Sequence, residues 1–213
     1  MIDDYFARLS YALTRGKRIV DILVIHPVAS AWAVYTPLNL RPAERLNDSF
    51  NQLLKTLLNL HRDFELGDER IIKSYGKVEG STFVVGQSRY TAVILPPSVT
   101  LSKTTFDMLR NYVNSGGKLI ALEPTPHLLD GGGSQEIREV LNKAHIMRDA
   151  DEEALSVALR TEPPRVEITG SKGEKAREVW YHLRQDGAQR ILFLANTSTE
   201  KEFLATVKLQ GVG

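Results

Sequence analysis

Cysteine is missing from all 213 residues of the chain. A disulfide framework, a thiolate nucleophile and a metal site with cysteine ligands are therefore excluded. Enzymes of the glutamine-amidotransferase type need a nucleophilic cysteine on a sharp turn between a strand and a helix, so their chemistry is excluded as well. The corresponding serine motif, Gly-x-Ser-x-Gly, is also absent.

Excess charge and long apolar runs are lacking too. The formal net charge is only +1, from 27 basic and 26 acidic residues, so the chain has no basic surplus with which to bind nucleic acid. No apolar run approaches the roughly 20 residues of a membrane span, and we expect no membrane partner. Residues 1–18 have no basic region followed by an apolar core, so we predict no signal peptide and a cytoplasmic location.

Glycine is absent from residues 26–41, where a dinucleotide-binding loop would need it, and we expect no nucleotide cofactor there. The Gly131-Gly132-Gly133 run precedes a predicted helix, but no Lys followed by Ser or Thr completes a phosphate-binding motif, so a surface loop is the preferred interpretation. No two of the five histidines stand four apart on one helix. We therefore predict no cofactor, no metal and no catalytic residue.

What the chain does contain is an ordinary globular composition, with 42% apolar and 25% charged residues. Three apolar runs, at 19–25, 91–95 and 118–122, are typical of strands buried on both faces of a parallel sheet. Apolar stripes predict helices over 3–15 and 42–62, and three more helices capped by Ser102, Ser134 and Asp151. Strands that alternate with helices predict a doubly wound α/β domain over residues 1–162.

The segment 64–90 is harder to interpret, with short strand-like pieces at 71–72 and 83–85. After Pro163-Pro164 the pattern changes to antiparallel strands, predicted at 166–168, 178–183, 190–194 and 203–209, with a hairpin turn at 185–187. We interpret residues 163–213 as a β-rich tail, the start of a β-sandwich that is cut short.

Candidate site residues follow the strand ends, because ligands of open α/β sheets bind beyond the carboxyl ends of the strands. His26 follows the first run, with Trp32 and Tyr35 close behind, and Glu123 follows the third. A His and a Glu there could act as base and acid, but such pairs arise often by chance, and a turn residue beside a solvated carboxylate is preferred. The four residues mark either a ligand crevice or an interface.

Three segments resemble parts of large bacterial glycoside hydrolases. Asp4-Tyr5-Phe6-Ala7-Arg8-Leu9 through Gly16, with Val20 to Pro27 and Ser30-Ala31-Trp32, is similar to the segment after the catalytic barrel in family 106 α-L-rhamnosidase-like proteins. Tyr90 to Pro96 and Gly116 to Leu122 are similar to the flavodoxin-like trimerisation domain of family 42 β-galactosidases. Trp180 to Arg184 and Ile191 to Ser198 resemble the opening of the β-sandwich that follows in these enzymes.

The resemblance implies a flavodoxin-like parallel sheet, of the class I glutamine-amidotransferase type, with helices on both faces and a C-terminal antiparallel β segment. It implies a non-catalytic accessory domain, because the catalytic carboxylates of these families lie on a barrel that is outside this chain. The expected partner is that barrel, and contacts in a homo-oligomer are a further implied role. A stand-alone module that binds a sugar or nucleotide at the strand-end crevice is the alternative.

Such a domain should expose apolar surface where it meets the barrel. The best candidates follow the first strand and show no helical or strand period; they are Val28, Ala31, Trp32, Val34, Tyr35 and Leu38. The helix predicted at 3–15 is a second candidate.

Overall fold

A computed structural model describes residues 2–211. Its helices are α1 (Ile2–Thr14), α2 (Val28–Val34), α3 (Arg41–Asn59), α4 (Glu69–Tyr75), α5 (Lys103–Asn114), α6 (Ile137–Leu141) and α7 (Glu152–Ala158). Its strands are β1 (Lys17–Arg18), β2 (Ile22–Ile25), β3 (Phe64–Gly67), β4 (Gly76–Glu79), β5 (Thr82–Val85), β6 (Ser88–Tyr90), β7 (Ala92–Leu95), β8 (Thr100–Leu101), β9 (Lys118–Leu122), β10 (Leu128–Leu129), β11 (Gly132–Gly133), β12 (His145–Met147), β13 (Val166–Thr169), β14 (Val179–Asp186), β15 (Gln189–Asn196) and β16 (Thr206–Leu209).

The central sheet has five parallel strands in the order β12-β9-β7-β2-β3. The predicted parallel sheet is therefore confirmed, with the three apolar runs side by side in it, although the first strand begins at Ile22 rather than at Ile19. Side chains of β2 alternate between two cores: Leu23 and Ile25 face one side, and Ile22 and Val24 face the other. Because both faces are covered, all four positions are apolar.

Helices cover both faces of this sheet. On one side α5 buries Phe106, Leu109 and Tyr112, with α6 beside it, and on the other side α3 buries Phe50, Leu53 and Leu57, with α7 beside it. The stripes predicted for α3 and α5 are confirmed. We call the unit from β2 to α7 the α/β body.

The predicted helix caps at Ser102 and Asp151 are confirmed, and the cap at Ser134 is wrong. Ser102 accepts the Thr105 N–H and Asp151 accepts the Ala154 N–H. Helix α6 begins only at Ile137, and the Ser134 hydroxyl accepts the Glu136 N–H in the turn before it.

Two local predictions from the sequence are wrong. The pair Ile71-Ile72, predicted as a strand, lies in α4, because the Asp68 carboxylate accepts the backbone N–H groups of Arg70 and Ile71 and so caps a helix. The stretch after the first strand, expected to be irregular, forms α2. The strand-like piece at 83–85 is confirmed as β5, the middle strand of the antiparallel sheet β4-β5-β6.

The β-rich tail is antiparallel, as predicted. Strand β13 pairs with β16, and β14 pairs with β15 through a turn in which Gly187 has φ +56°. The last strand begins at Thr206, three residues later than predicted. Val166, Ile168 and Leu183 belong to a separate small core. The division at residues 162 and 163 stays a prediction.

One connection was not expected from the sequence. Strand β1 pairs with β14 of the tail, with Lys17 opposite Gln185 and Arg18 opposite Arg184. The start of the chain is therefore part of a sheet made mostly by its end. Within residues 2–211, no helix is both long enough and apolar enough to cross a membrane.

Candidate functional site

The carboxyl ends of β2, β7 and β9 define one edge of the central sheet, which we call the carboxyl edge. His26 lies there directly after β2. Its ring packs against Phe50 of α3, with centroids 5.4 Å apart, and its backbone N–H donates to Gly67 O at 3.0 Å. The His26 ring is thus packed on α3, and its backbone is bound to the end of β3.

Helix α2 follows β2 and is bound to the segment after β7 through Ser30. The fully buried Ser30 hydroxyl donates to Thr100 O at 3.0 Å and accepts the backbone N–H groups of Val99 and Thr100 at 3.0 and 3.1 Å. In open α/β sheets the crevice beside such neighbouring strands is the usual ligand position. At that position the polar groups of Ser30 and of the segment after β7 are hydrogen-bonded to each other.

Glu123 lies at the end of β9, before a cis bond to Pro124. Its side chain is exposed, and its backbone N–H donates to Met147 O at 2.9 Å. In the described part of the chain, no hydrogen bond or ion pair joins Glu123 to His26. The structure therefore does not assemble the two into a hydrogen-bonded acid–base pair.

Trp32 and Tyr35 are brought together, on the outside of the molecule. Their rings meet edge to face with centroids 6.1 Å apart, and the side chains are 71% and 49% exposed. Val28, one helical turn before Trp32, is exposed as well, and Leu38 is 97% exposed. We call Val28, Trp32, Tyr35 and Leu38 the apolar edge surface. The expectation of exposed apolar residues after the first strand is met for these four, while Ala31 and Val34 are half-buried.

A groove of about 830 Å³ lies at the same edge, between α2, α3 and the turns after β7 and β9. Residues that line it include Val34, Asn39, Arg41, Arg45, Ser49 and Pro124. None of the four candidate residues from the sequence lines this groove. Sequence reasoning missed Arg41 and Arg45 because they begin the next helix and do not follow a strand. Their spacing of four residues, which places two cations on one face of a helix, was the available signal.

The structure permits comparison with known proteins. No protein-family model matches the sequence, and no curated protein matches it. Among solved structures, a rhamnosidase from Novosphingobium sp. PP1Y matches with a TM-score of 0.56 and 17% identity over 91% of this chain and 18% of its own. Gan42B, a GH42 β-galactosidase, matches with a TM-score of 0.63 and 13% identity over 91% of this chain and 36% of its own. An exo-carrageenase of GH42 from Bacteroides ovatus matches with a TM-score of 0.53 and 13% identity over 83% of this chain and 23% of its own.

These structural neighbours are glycoside hydrolases, and this chain corresponds to a minor part of each. At identities of 13–17% the similarity establishes a shared fold and carries no catalytic residue across. The fold that is shared includes both the α/β body and most of the tail, since two of the matches cover 91% of the chain.

The opposite edge of the sheet, where β2 begins, is where the tail meets the α/β body. Arg165 binds Asp21 through two hydrogen bonds of 2.6 and 2.8 Å, and Arg18 binds Asp63 through two of 2.5 and 3.2 Å. Burial raises the pKa of the Asp63 carboxyl, and Arg18 opposes that rise. We call this polar contact region the junction.

His61 is the most buried polar side chain of the junction, at 2% exposure. Its Nε2 lies 3.0 Å from Ala176 O, and its Nδ1 accepts the Ile168 N–H at 3.3 Å. This pattern assigns the proton to Nε2 and a neutral ring, in agreement with a pKa that burial lowers. His61 thereby links α3 to the tail. Across residues 2–211 no cluster of three His, Asp or Glu side chains is placed to hold a metal ion.

Proposed function

We propose that this chain is a non-catalytic accessory domain of a larger glycoside hydrolase. The observation that carries the proposal is the fold shared with three glycoside hydrolases, of which it spans 18–36%. We also propose a flavodoxin-like assignment for the α/β body. It is supported by the order of the parallel strands, which runs second, first, third, fourth, fifth in chain order.

The proposed partner is a catalytic barrel, and the proposed contact is the apolar edge surface. Two large aromatic rings that pack on each other while both stay exposed are typical anchors of an interface. Helix α1 is a second proposed contact, because it buries none of its side chains, while Tyr5, Phe6 and Tyr11 are at least half exposed. Contacts between domains of one chain bury on the order of 600–1,500 Å², which two such surfaces could supply.

A non-catalytic role is supported by how the strand-end residues are used. His26 packs on Phe50, and Ser30 is fully occupied by backbone groups. The first experiment is a hydrolysis assay of the purified chain with aryl rhamnosides and aryl galactosides, in which we expect no turnover. Turnover above background that disappears in Glu123→Gln or His26→Ala would refute the non-catalytic role.

The second experiment tests the interface by hydroxyl-radical footprinting of Trp32. Oxidation of Trp32 should be fast in the isolated chain and should fall several-fold in the longer protein that includes the barrel. Tyr75, which is 66% exposed on α4 and belongs to neither proposed contact surface, is the matched control and should be unchanged. Equal oxidation of Trp32 in both proteins contradicts the proposed contact.

A second candidate function, a small-molecule binding module, is favoured by the groove that Arg41 and Arg45 line. Its volume of about 830 Å³ lies within the roughly 300–1,000 Å³ of typical ligand sites, and it lies at the carboxyl edge. A thermal-shift screen with sugars and nucleotides tests this function. Saturable stabilisation that is lost in Arg45→Ala supports it, and a flat screen rejects it.

A further inference from the structure

A second groove, of about 620 Å³, lies at the junction, where the tail meets the α/β body. We call it the junction groove. The tail contributes Arg184 and His182 of β14, the body contributes Ser88 and Arg89 of β6, and Lys17 and Arg18 come from β1. These residues precede β2 and β7 or belong to the tail, so the groove lies at the opposite end of the parallel strands from the apolar edge surface.

The junction groove carries more positive than negative charge. Four cations line it, Lys17, Arg18, Arg89 and Arg184, against the two carboxylates of Asp21 and Glu65. Both carboxylates are already engaged by other partners. Asp21 binds Arg165, and Glu65 accepts the hydroxyl of Tyr90.

Two of the four cations have no carboxylate partner within residues 2–211. Arg184 donates to Arg15 O at 2.5 Å, to Gly16 O at 2.9 Å and to His182 Nε2 at 3.3 Å, so its charge meets only neutral acceptors. The exposed Lys17 forms no ion pair there either. Arg18 and Arg89, by contrast, bind Asp63 and Glu79.

His182 supplies a neutral donor beside these charges. Its Nε2 accepts from Arg184, which can only donate, so the ring proton is on Nδ1. Burial, with help from Arg18 and Arg184, lowers the pKa of His182 to about 4, so the ring stays neutral near pH 7. A neutral imidazole N–H beside unpaired cations is suited to an anionic oxygen.

We propose that the junction groove binds the oxyanion of a small molecule, a carboxylate, sulfate or phosphate group on a molecule of about sugar size. The charge-bearing residues select an anion, and the volume of about 620 Å³ falls in the range of small-molecule sites. Because residues of both the tail and the body line the groove, the bound anion links the two. The apolar edge surface, the first proposed barrel contact, lies at the opposite edge of the sheet and shares no residue with this groove.

The test is isothermal titration calorimetry on the isolated chain at constant ionic strength, with sodium sulfate, sodium phosphate and sodium glucuronate as probes and sodium chloride as reference. Saturable binding of at least one oxyanion is expected, and the ranking of the three identifies the group. Thermal unfolding with the same salts should show a matching saturable rise in Tm.

Variants locate the binding. Lys17→Ala, which removes a cation without an ion-pair partner in residues 2–211, should weaken oxyanion affinity by about tenfold, the size of one lost charge-assisted hydrogen bond. The variant should still fold, because the Lys17 side chain is exposed and its pairing with Gln185 is made by the backbone. Arg89→Ala removes a second cation and should weaken binding less, because Glu79 already pairs with Arg89; Lys77 then remains 2.6 Å from Glu79. Lys73→Ala on α4, a lysine outside the groove, is the matched control and should bind as the unchanged chain does.

Two results would overturn the proposal. One is the absence of saturable heat with all three oxyanions. The other is binding that Arg89→Ala and Lys17→Ala leave unchanged, because it would place the anion elsewhere.

Discussion

Replacement of His61 by asparagine should destabilise the contact between the tail and the α/β body. His61 has a φ of +54°, and asparagine tolerates this left-handed backbone conformation better than most residues, so the change tests the imidazole rather than the backbone. The shorter side chain cannot reach both Ala176 O and the Ile168 N–H, to which the imidazole bonds on opposite sides. Ala176 O still accepts the Val179 N–H at 3.0 Å, so the buried Ile168 N–H is the group that we expect to lose its partner.

The expected loss of unfolding free energy is about 2–4 kcal/mol. Each buried backbone group that loses its hydrogen bond costs about 1–3 kcal/mol, and the ring volume that asparagine leaves empty adds to this. Partial relaxation and entry of water keep the total below the sum of the separate costs. The exposed His145, on the edge strand β12, gives the matched control His145→Asn, for which we expect a change within about 0.5 kcal/mol.

Urea unfolding measures the free energy, and amide hydrogen exchange locates the change. The chain has two tryptophans, so Trp32→Phe leaves Trp180 of β14 as the single fluorescent reporter of the tail. The Ile168 amide should exchange faster in His61→Asn, while amides of β7 should stay protected. If the unfolding midpoint matches that of His145→Asn and the Ile168 amide keeps its protection, His61 does not hold the tail in place.

Three further outcomes are expected. The free energy of unfolding should fall as pH drops from 6.5 towards 4.5. Burial lowers the pKa of both His61 and His182, so in this range the unfolded chain binds more protons than the native one. Urea unfolding at several pH values measures this dependence, and the free energy of unfolding should depend less steeply on pH in His182→Gln. Leu57→Ala in α3 should cost about 2–5 kcal/mol by thermal or urea unfolding, because that side chain is fully buried. Ser30→Ala should cost about 1–3 kcal/mol in the same assay, because it strips the hydrogen-bond partner from Thr100 N–H, and a value near zero would contradict a structural role for α2.

The parallel sheet could be predicted from the sequence because its signals are local. The runs at 91–95 and 118–122 are apolar after their first residue, and a proline follows the one while a glycine precedes the other. Helix α4 was missed because the β-branched pair Ile71-Ile72 suggests a strand, and the Asp68 cap that decides the matter lies three residues earlier. Strand β1 was missed because two basic residues have no apolar pattern, and their partner lies at the far end of the chain.

The candidate site was predictable only in its position. Strand ends do place His26 and Glu123 at the carboxyl edge, but the direction of each side chain depends on elements distant in sequence. His26 turns towards Phe50, which is 24 positions later and on a different element. The two grooves combine residues from three or more segments each, and no local pattern marks such a combination. Only the exposure of Val28, Trp32, Tyr35 and Leu38 could be anticipated, from their position in an apolar stretch that follows a strand.

The pairing of β1 with β14 has a consequence for how the chain reaches its native state during synthesis. Arg184 donates to Gly16 O across 168 residues, and at about 5–20 residues per second the ribosome needs roughly 10–30 s to make the intervening chain. All five parallel strands are complete once Met147 has been made, so the α/β body can assemble while β1 still lacks a partner. Between the assembly of the body and the synthesis of β14, strand β1 keeps an unpaired edge, and through such edges nascent chains are prone to associate or to recruit a chaperone.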